Sequence, residues 1–272
     1  MPRVSLPDTR TDSTAAPAAA SAPPLPLISV IVPHLDDVER LARCIAALEA
    51  QTLPRDRFEI IVADNGSRCG LAEVASTVGS ARIVAVTERG AGPARNAAAT
   101  VARGALLAFT DSDCIPDRNW LDAGIAALAG ADLAGGAVRV DIGDRQQPCP
   151  AEAFELVFAF DNQRYVERLG FSVTANLFAR RHVYDTVGGF KIGVPEDLDW
   201  CRRAHAAGFR LHYSPGAVVV HPARDSFAAL ARKWQRLTDE AYVQWRATGR
   251  SRATWLLRAA ATLASPVAHA GR

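Results

Sequence analysis

The sequence predicts an α/β protein: a mostly parallel, Rossmann-like sheet flanked by helices, followed by a helical tail. Three observations carry this. Short β-branched runs alternate with helix-period segments up to about residue 130, as successive βαβ units require. Hydrophobic residues make up 49% and charged residues 22% of the 272, which supports one large core and excludes wholesale disorder. Charge is uneven: residues 222–272 hold nine Arg and Lys against three acids, so a formal total of +2 conceals a mildly acidic body and a basic tail. So balanced a total gives no reason to expect a nucleic-acid partner.

Residues 1–26, rich in Ala, Pro, Ser and Thr without periodicity, are expected to be a disordered leader, and they lack the apolar core of a secretory signal. The main domain is expected over 27–222. Leu27–Val32 reads as a buried strand stopped by Pro33. Asp36 or Asp37 can cap a helix with Val38, Leu41, Ile45 and Leu48 on one face. Phe58–Ala63, Arg82–Val86 and Ala105–Phe109 are the next strands, with helices at Pro93–Arg103 and Trp120–Leu128. The pattern then loosens. Strands are expected at Asp132–Val140 and Phe171–Phe178, and helices over Ala151–Arg168 and Glu196–Ala207, the latter closed by Gly208. Two short strands, Arg210–Tyr213 and Ala217–Val220, flank the turn Ser214-Pro215-Gly216. The tail, 223–272, reads as basic and amphipathic, led by a helix at Phe227–Thr248. No apolar stretch is long enough to span a bilayer. The five cysteines, none in CxxC spacing, argue against a disulfide framework or zinc site and fit a reducing cytoplasm.

In open parallel sheets, ligands sit beyond the carboxyl ends of the strands. This chain places acids there: Asp36 and Asp37, Asp64, and Asp111 and Asp113. No GxGxxG or P-loop pattern follows any strand. Asp111-Ser112-Asp113 supplies two carboxylates, hard oxygen ligands suited to Mg²⁺ or Mn²⁺ against phosphate, with a helix cap ahead of Trp120 as the structural alternative. Glu196, Asp197 and Asp199 open a helix, where neighbours diverge by about 100°, so only one faces a given ligand. Alternatively all three favour the helix dipole, with Arg202 and Arg203 as partners.

Five segments occur in a telling order. They are Ser29-Val30-Ile31-Val32-Pro33, Glu59-Ile60-Ile61-Val62-Ala63-Asp64-Asn65-Gly66-Ser67, Gly92-Pro93-Ala94-Arg95-Asn96, Phe109-Thr110-Asp111-Ser112-Asp113 and Pro195-Glu196-Asp197-Leu198-Asp199-Trp200. Together they resemble a family 2 glycosyltransferase of the GT-A fold over residues 28–221. The resemblance implies an inverting transferase that moves a sugar from a nucleotide-sugar, UDP-linked in most of the family, to an acceptor hydroxyl. It implies that Pro33, His34, Asp36 and Asp64 bind the base side and that Arg95 lies near the nucleotide. Asp111 and Ser112 would contact ribose or metal, and Asp113 would hold a Mn or Mg ion with Asp111. Asp197 would be the general base, His221 would complete the metal site, and Asn176, Glu196 and Trp200 are expected on the donor or acceptor side.

The chain departs from the family in one loop. Where members often read Pro-Thr-Tyr-Asn-Arg it has Pro33-His34-Leu35-Asp36-Asp37, without the aromatic residue and the Arg. Lys233-Trp234-Gln235-Arg236 stands where processive synthases carry Gln-x-x-Arg-Trp ahead of membrane spans, which argues against polymerisation. The acceptor (glycan, lipid-linked or small molecule) is not fixed by these motifs. The tail's basic and aromatic residues suit peripheral contact with the inner face of the membrane, or packing on the domain. The alternative reading of the whole is a catalytically silent GT-A-like module that binds nucleotide or a partner.

Overall fold

A computed structural model describes residues 25–143 and 146–269; the expected leader, apart from Leu25 and Pro26, lies outside the described residues. Four parallel strands form the first half of the sheet: β1 (Ile28–His34), β2 (Phe58–Asp64), β3 (Arg82–Ala85) and β4 (Leu106–Thr110). β1 and β2 are buried along their whole length, which is why they read as continuous apolar runs. Their register pairs His34 with Asp64, so the two loops that follow emerge side by side.

Helices cover both faces. Val30, Val32, Ile60 and Val62 pack against α1 (Val38–Glu49), α2 (Leu71–Val78) and α4 (Trp120–Ala127). Ile31, Ile61, Leu107 and Phe109 point the other way, against α3 (Ala91–Val101), α7 (Arg181–Val187) and α8 (Glu196–Ala206). Asp37 is the residue that caps α1, accepting from the Arg40 amide at 3.1 Å.

The second half of the sheet is mixed, in the order β4-β7-β6-β8-β5. Its strands are β5 (Ile115–Pro116), β6 (Leu133–Asp141), β7 (Asn176–Arg180) and β8 (Leu211–Pro222). β7 runs antiparallel to β4, and β6 runs parallel to β8. The two short strands expected around Ser214-Pro215-Gly216 are one strand. The register against β6 jumps from Ser214 to Val218, so a bulge absorbs the turn. Asn176 explains how. Its amide donates to the carbonyls of Ala137 and Ala217, both at 2.8 Å, and its oxygen accepts from the Trp120 indole at 2.9 Å. Gly136 completes the seam, because a Cβ there would collide with the Ala217 carbonyl and the Asn176 amide.

Two other expectations change. The helix over Ala151–Arg168 is broken into α5 (Pro150–Phe158), α6 (Asn162–Arg164) and a π-helical turn at Tyr165–Leu169. The break is at Asp161, whose side chain caps α6 by accepting from the Arg164 amide at 3.1 Å. Strand β7 starts at Asn176 rather than Phe171, because the chain before it is tied to α6: the Val173 amide bonds the Asn162 side chain at 3.1 Å. The tail holds two helices, α9 (Phe227–Ala247) and α10 (Arg252–His269), the second of them unforeseen. No described helix is long and apolar enough to cross a membrane.

Asn176→Ala is expected to destabilise the domain by about 3 kcal/mol, since an indole N–H and two carbonyls lose buried partners. A thermal melt should show a midpoint lower by about 6–12 °C. An unchanged midpoint would refute the seam.

Candidate active site

The site forms where the carboxyl ends of β1, β2 and β4 meet the end of β8 and the start of α8. The side that carries the candidate metal ligands is made by a two-residue strand. Antiparallel pairing of β5 with β8 sets Ile115 opposite Val220, so the turn before β5 meets the residues after Val220. Asp113 and His221 are thereby brought together, with His221 Nε2 3.6 Å from the Asp113 carboxylate. His221 Nδ1 lies 2.7 Å from the Pro222 carbonyl, which can only accept, so Nδ1 carries a proton and Nε2 is the ring nitrogen that meets Asp113.

Asp111, Asp113 and Cys114 offer ligand atoms all within 4.8 Å of one another. Burial pushes the Cys114 thiol well up, so it stays protonated and the two carboxylates are the candidate ligands for a hard cation. Burial also raises Asp113, opposed by His221. This donor set, two carboxylates and an imidazole nitrogen, fits Mn²⁺ or Mg²⁺.

Arg95, on α3, is the keystone. It is buried, donates to Asp111 at 2.5 Å and is also bonded to Glu196, so it ties β4 to the first turn of α8. The three acids of that turn are thereby sorted. Glu196 belongs to Arg95. Asp199 pairs with Arg203 at 2.8 Å, the expected i,i+4 partner. Asp197 has no ion pair among the described residues and accepts only from the Leu198 amide at 2.8 Å. Burial pushes its carboxyl up to about 6, with Glu196 adding to the rise and the Leu198 amide and Arg95 opposing it.

At the ends of β1 and β2, Asp64 accepts from the Ser67 hydroxyl at 2.5 Å, and the same hydroxyl accepts from the Asp36 amide at 3.0 Å. Asp36 adopts a left-handed backbone (φ 58°), and its carboxylate holds the Arg68 amide at 2.7 Å. His34, next to buried Pro33, has both ring nitrogens buried without a partner, and burial keeps it neutral. The other buried side-chain polar atoms without partners among the described residues are Arg95 Nε and Thr110 Oγ1. Every such orphan therefore belongs to a residue on β1, β4 or α3, the elements that build this site.

Two expected residues do not face this space. Asn176 is fully buried and spends its amide on the β6–β8 seam. Trp200 is fully buried too, its indole donating to the Gly188 carbonyl at 2.8 Å while its ring packs on Phe190 and Tyr184. Both are core groups, not donor or acceptor contacts. Ser112 lies in the turn closed by the Cys114 amide on the Asp111 carbonyl.

Other residues were missed. Asn65 accepts from the Gly90 amide at 2.7 Å and donates to the Glu88 carbonyl at 2.6 Å, fixing the approach to α3 and so to Arg95. Asn96 binds the amide and carbonyl of Phe190, both at 2.8 Å, fixing the loop ahead of Glu196. Each stands inside one of the five ordered segments, adjacent to Asp64 and Arg95 respectively. A cavity lined by Leu25, Arg57, Arg103 and Arg181 opens at the amino ends of β1 and β4; it has no part in this chemistry, since Arg103 is committed to Glu59 and Arg181 to backbone carbonyls.

Comparison with known proteins agrees with this geometry. The sequence model of the family "Glycosyl transferase family 2" matches residues 29–192. The chain is 33% identical over 225 residues to the glycosyltransferase AglE of Haloferax volcanii, covering 78% of this chain and 72% of that one. It is 27% identical to the pre-mycofactocin glycosyltransferase of Mycobacterium tuberculosis, but spans only 46% of it. Among solved structures, the mannosyltransferase PcManGT from Pyrobaculum calidifontis in complex with GDP-Man and Mn²⁺ superposes with a TM-score of 0.56 at 21% identity, covering 88% of this chain and 81% of that one. S. aureus TarS 1-349 in complex with UDP-GlcNAc gives 0.55 at 19% identity, covering 73% of this chain and 59% of that one. These two likenesses show the fold, which is GT-A.

Proposed function

The chain belongs to the family 2 glycosyltransferases, and from that premise we propose that it is an inverting, divalent-metal-dependent enzyme with Asp197 as general base. Its donor is a nucleoside-diphosphate sugar, UDP-linked as in most of the family; its acceptor group is a hydroxyl. One observation carries the reading: of the three acids opening α8, Asp197 alone lacks a cation, and its carboxyl is tuned to about 6. A base poised just below neutral pH is ionised yet basic enough to take a proton.

The acceptor oxygen forms its bond to the anomeric carbon as the bond to the diphosphate breaks, and Asp197 removes the acceptor proton. A single uncommitted carboxylate suffices, since no glycosyl-enzyme intermediate is needed. Arg95 holds Glu196 and Asp111 in place on either side. The unpartnered nitrogens of His34, beside Asp64, suit the polar edge of a base or ribose once side chains there adjust. A Mn²⁺ or Mg²⁺ ion held by Asp111, Asp113 and His221 would neutralise charge on the departing diphosphate.

The test is a thermal-shift series with Mn²⁺ and UDP- or GDP-sugars. A cognate donor at a hundredfold excess over its Kd should stabilise by about 2.7 kcal/mol, or roughly 5–10 °C. Asp113→Ala should lose Mn²⁺ binding, read by electron paramagnetic resonance, and with it the Mn²⁺-dependent part of the shift. Retained Mn²⁺ affinity would remove Asp113 from the metal site. A chain that binds donor but never transfers or hydrolyses it would be the silent module instead.

A further inference from the structure

We propose that the apolar face shared by α5 and the first half of α9 docks on an anionic lipid surface. On α5, Val157 is 71% and Phe158 60% exposed, with Phe154 and Leu156 also open to solvent. The rings of Phe154 and Phe158, one helical turn apart, meet at a tilt with centroids 4.7 Å apart, and exposed Trp234 of α9 meets Phe154 edge-on at 6.2 Å. Phe227, at the start of α9, is 80% exposed. Contiguous exposed aromatic and aliphatic side chains on neighbouring helices mark an interaction surface.

Charge selects the occupant. Both acids of α5 are engaged within the chain. Glu152 closes the helix's own N-terminus by accepting from the Cys149 amide at 2.8 Å. Glu155 is buried, holding Arg224 at 2.9 Å and Lys233 at 2.7 Å. The exposed side chains of the outward face, Phe154, Leu156, Val157 and Phe158, carry no charge, and half-buried Glu152 lies in the first turn of the helix, away from Val157 and Phe158. The surrounding tail is strongly basic, and Arg232 and Arg252 are exposed with no acidic partner among the described residues. Apolar side chains that enter the headgroup region, together with exposed cations in the same tail that attract it, form the two-part signature of peripheral binding.

The docked face also borders the site. Phe160, two residues past Phe158, places its ring 4.9 Å from that of His221, and the Lys233 ammonium sits 5.2 Å above the same ring. An acceptor anchored in that bilayer would reach the site from the His221 side; this clause on acceptor class rests on the proposed function, whereas docking itself does not.

The test uses the full chain and sedimentation with vesicles of neutral phosphatidylcholine, alone or mixed with phosphatidylglycerol. Binding to the mixed vesicles is expected, weakened by salt. The double variant Val157→Glu, Phe158→Glu should bind them at least about tenfold more weakly, as two apolar side chains no longer enter the interface. Its melting midpoint should be unchanged, because both side chains are exposed. Indifference of the wild type to mixed vesicles, or equal binding by the variant, overturns the proposal. So does a dimer that the variant abolishes, which would make the face a contact between two copies. No sugar transfer enters this assay, so its failure leaves the glycosyltransferase reading untouched.

Discussion

Asp197→Asn is expected to lose about 10²–10⁴ in transfer rate and yet melt several degrees higher than the wild type. The two effects have one cause. Burial lifts the Asp197 carboxyl from 3.8 to about 6, so the folded protein holds this proton more tightly than the unfolded chain. Stability from this group is present at acid pH and is lost as pH rises from about 4 through 6. Above that the folded state carries a charge it would rather not. The full shift corresponds to about 3 kcal/mol, and partial contact with water reduces it to about 1–2 kcal/mol. Asn keeps the shape without the charge, so the midpoint should rise by about 3–6 °C at neutral pH. Below pH 4 the gain should vanish. A variant that loses activity and stability together would make Asp197 a structural residue.

The same carboxyl sets the acid limb of the pH–rate profile. With donor and metal saturating, turnover should climb as Asp197 ionises, half-maximal near pH 6. A profile flat from pH 5 to 8 would dismiss it as the base.

The parallel half of the fold was legible because each of β1, β2 and β4 is a continuous buried run, and burial on both faces writes itself into composition. The mixed half was not. Strand β5 is two residues long, too short for any periodic signal, yet its pairing with β8 is what carries Asp113 to His221. α2 and α7 were likewise too short to stand out, at eight and seven residues. The site shows the same divide. The Asp199–Arg203 pair is local, one helical turn apart, and could be foreseen. The Arg95–Glu196 bond spans 101 positions, and without it only the family resemblance, not helix spacing, separates Glu196 from Asp197. Asn176 and Trp200 misled because polar or aromatic residues inside a motif look functional; only their partners, the Ala137 and Ala217 carbonyls and that of Gly188, reveal core roles. In the tail, spacing alone left membrane contact and packing on the domain both open for Arg224 and Lys233, and buried Glu155 claims both.

Arg95→Met should combine the largest loss of stability at the site with a change in the base itself. The substitution preserves apolar volume but leaves Asp111 and Glu196 facing each other without the cation between them. Removing one member of a buried ion cluster costs about 3–5 kcal/mol. Asp111 and Glu196 are 31% and 26% exposed, so water takes over part of the load and the lower figure is expected. The midpoint should fall by about 6–12 °C. Arg95 also holds the Asp197 carboxyl down, while Glu196 pushes it up. Loss of the guanidinium frees Glu196 to act unopposed, so the acid limb of the residual activity should move alkaline of pH 6. A purely structural arginine would lower the midpoint without moving that limb. Arg95→Lys keeps the charge but cannot fork between two carboxylates, and should move the limb less than it lowers the midpoint. Adding Glu196→Gln to Arg95→Met removes the carboxylate that the first substitution stranded. The double variant should then be more stable than the single one, because the two groups share one network and their effects do not add. If instead the two losses sum, Arg95 and Glu196 are independent and the link between α3 and α8 is not what holds Asp197 in place.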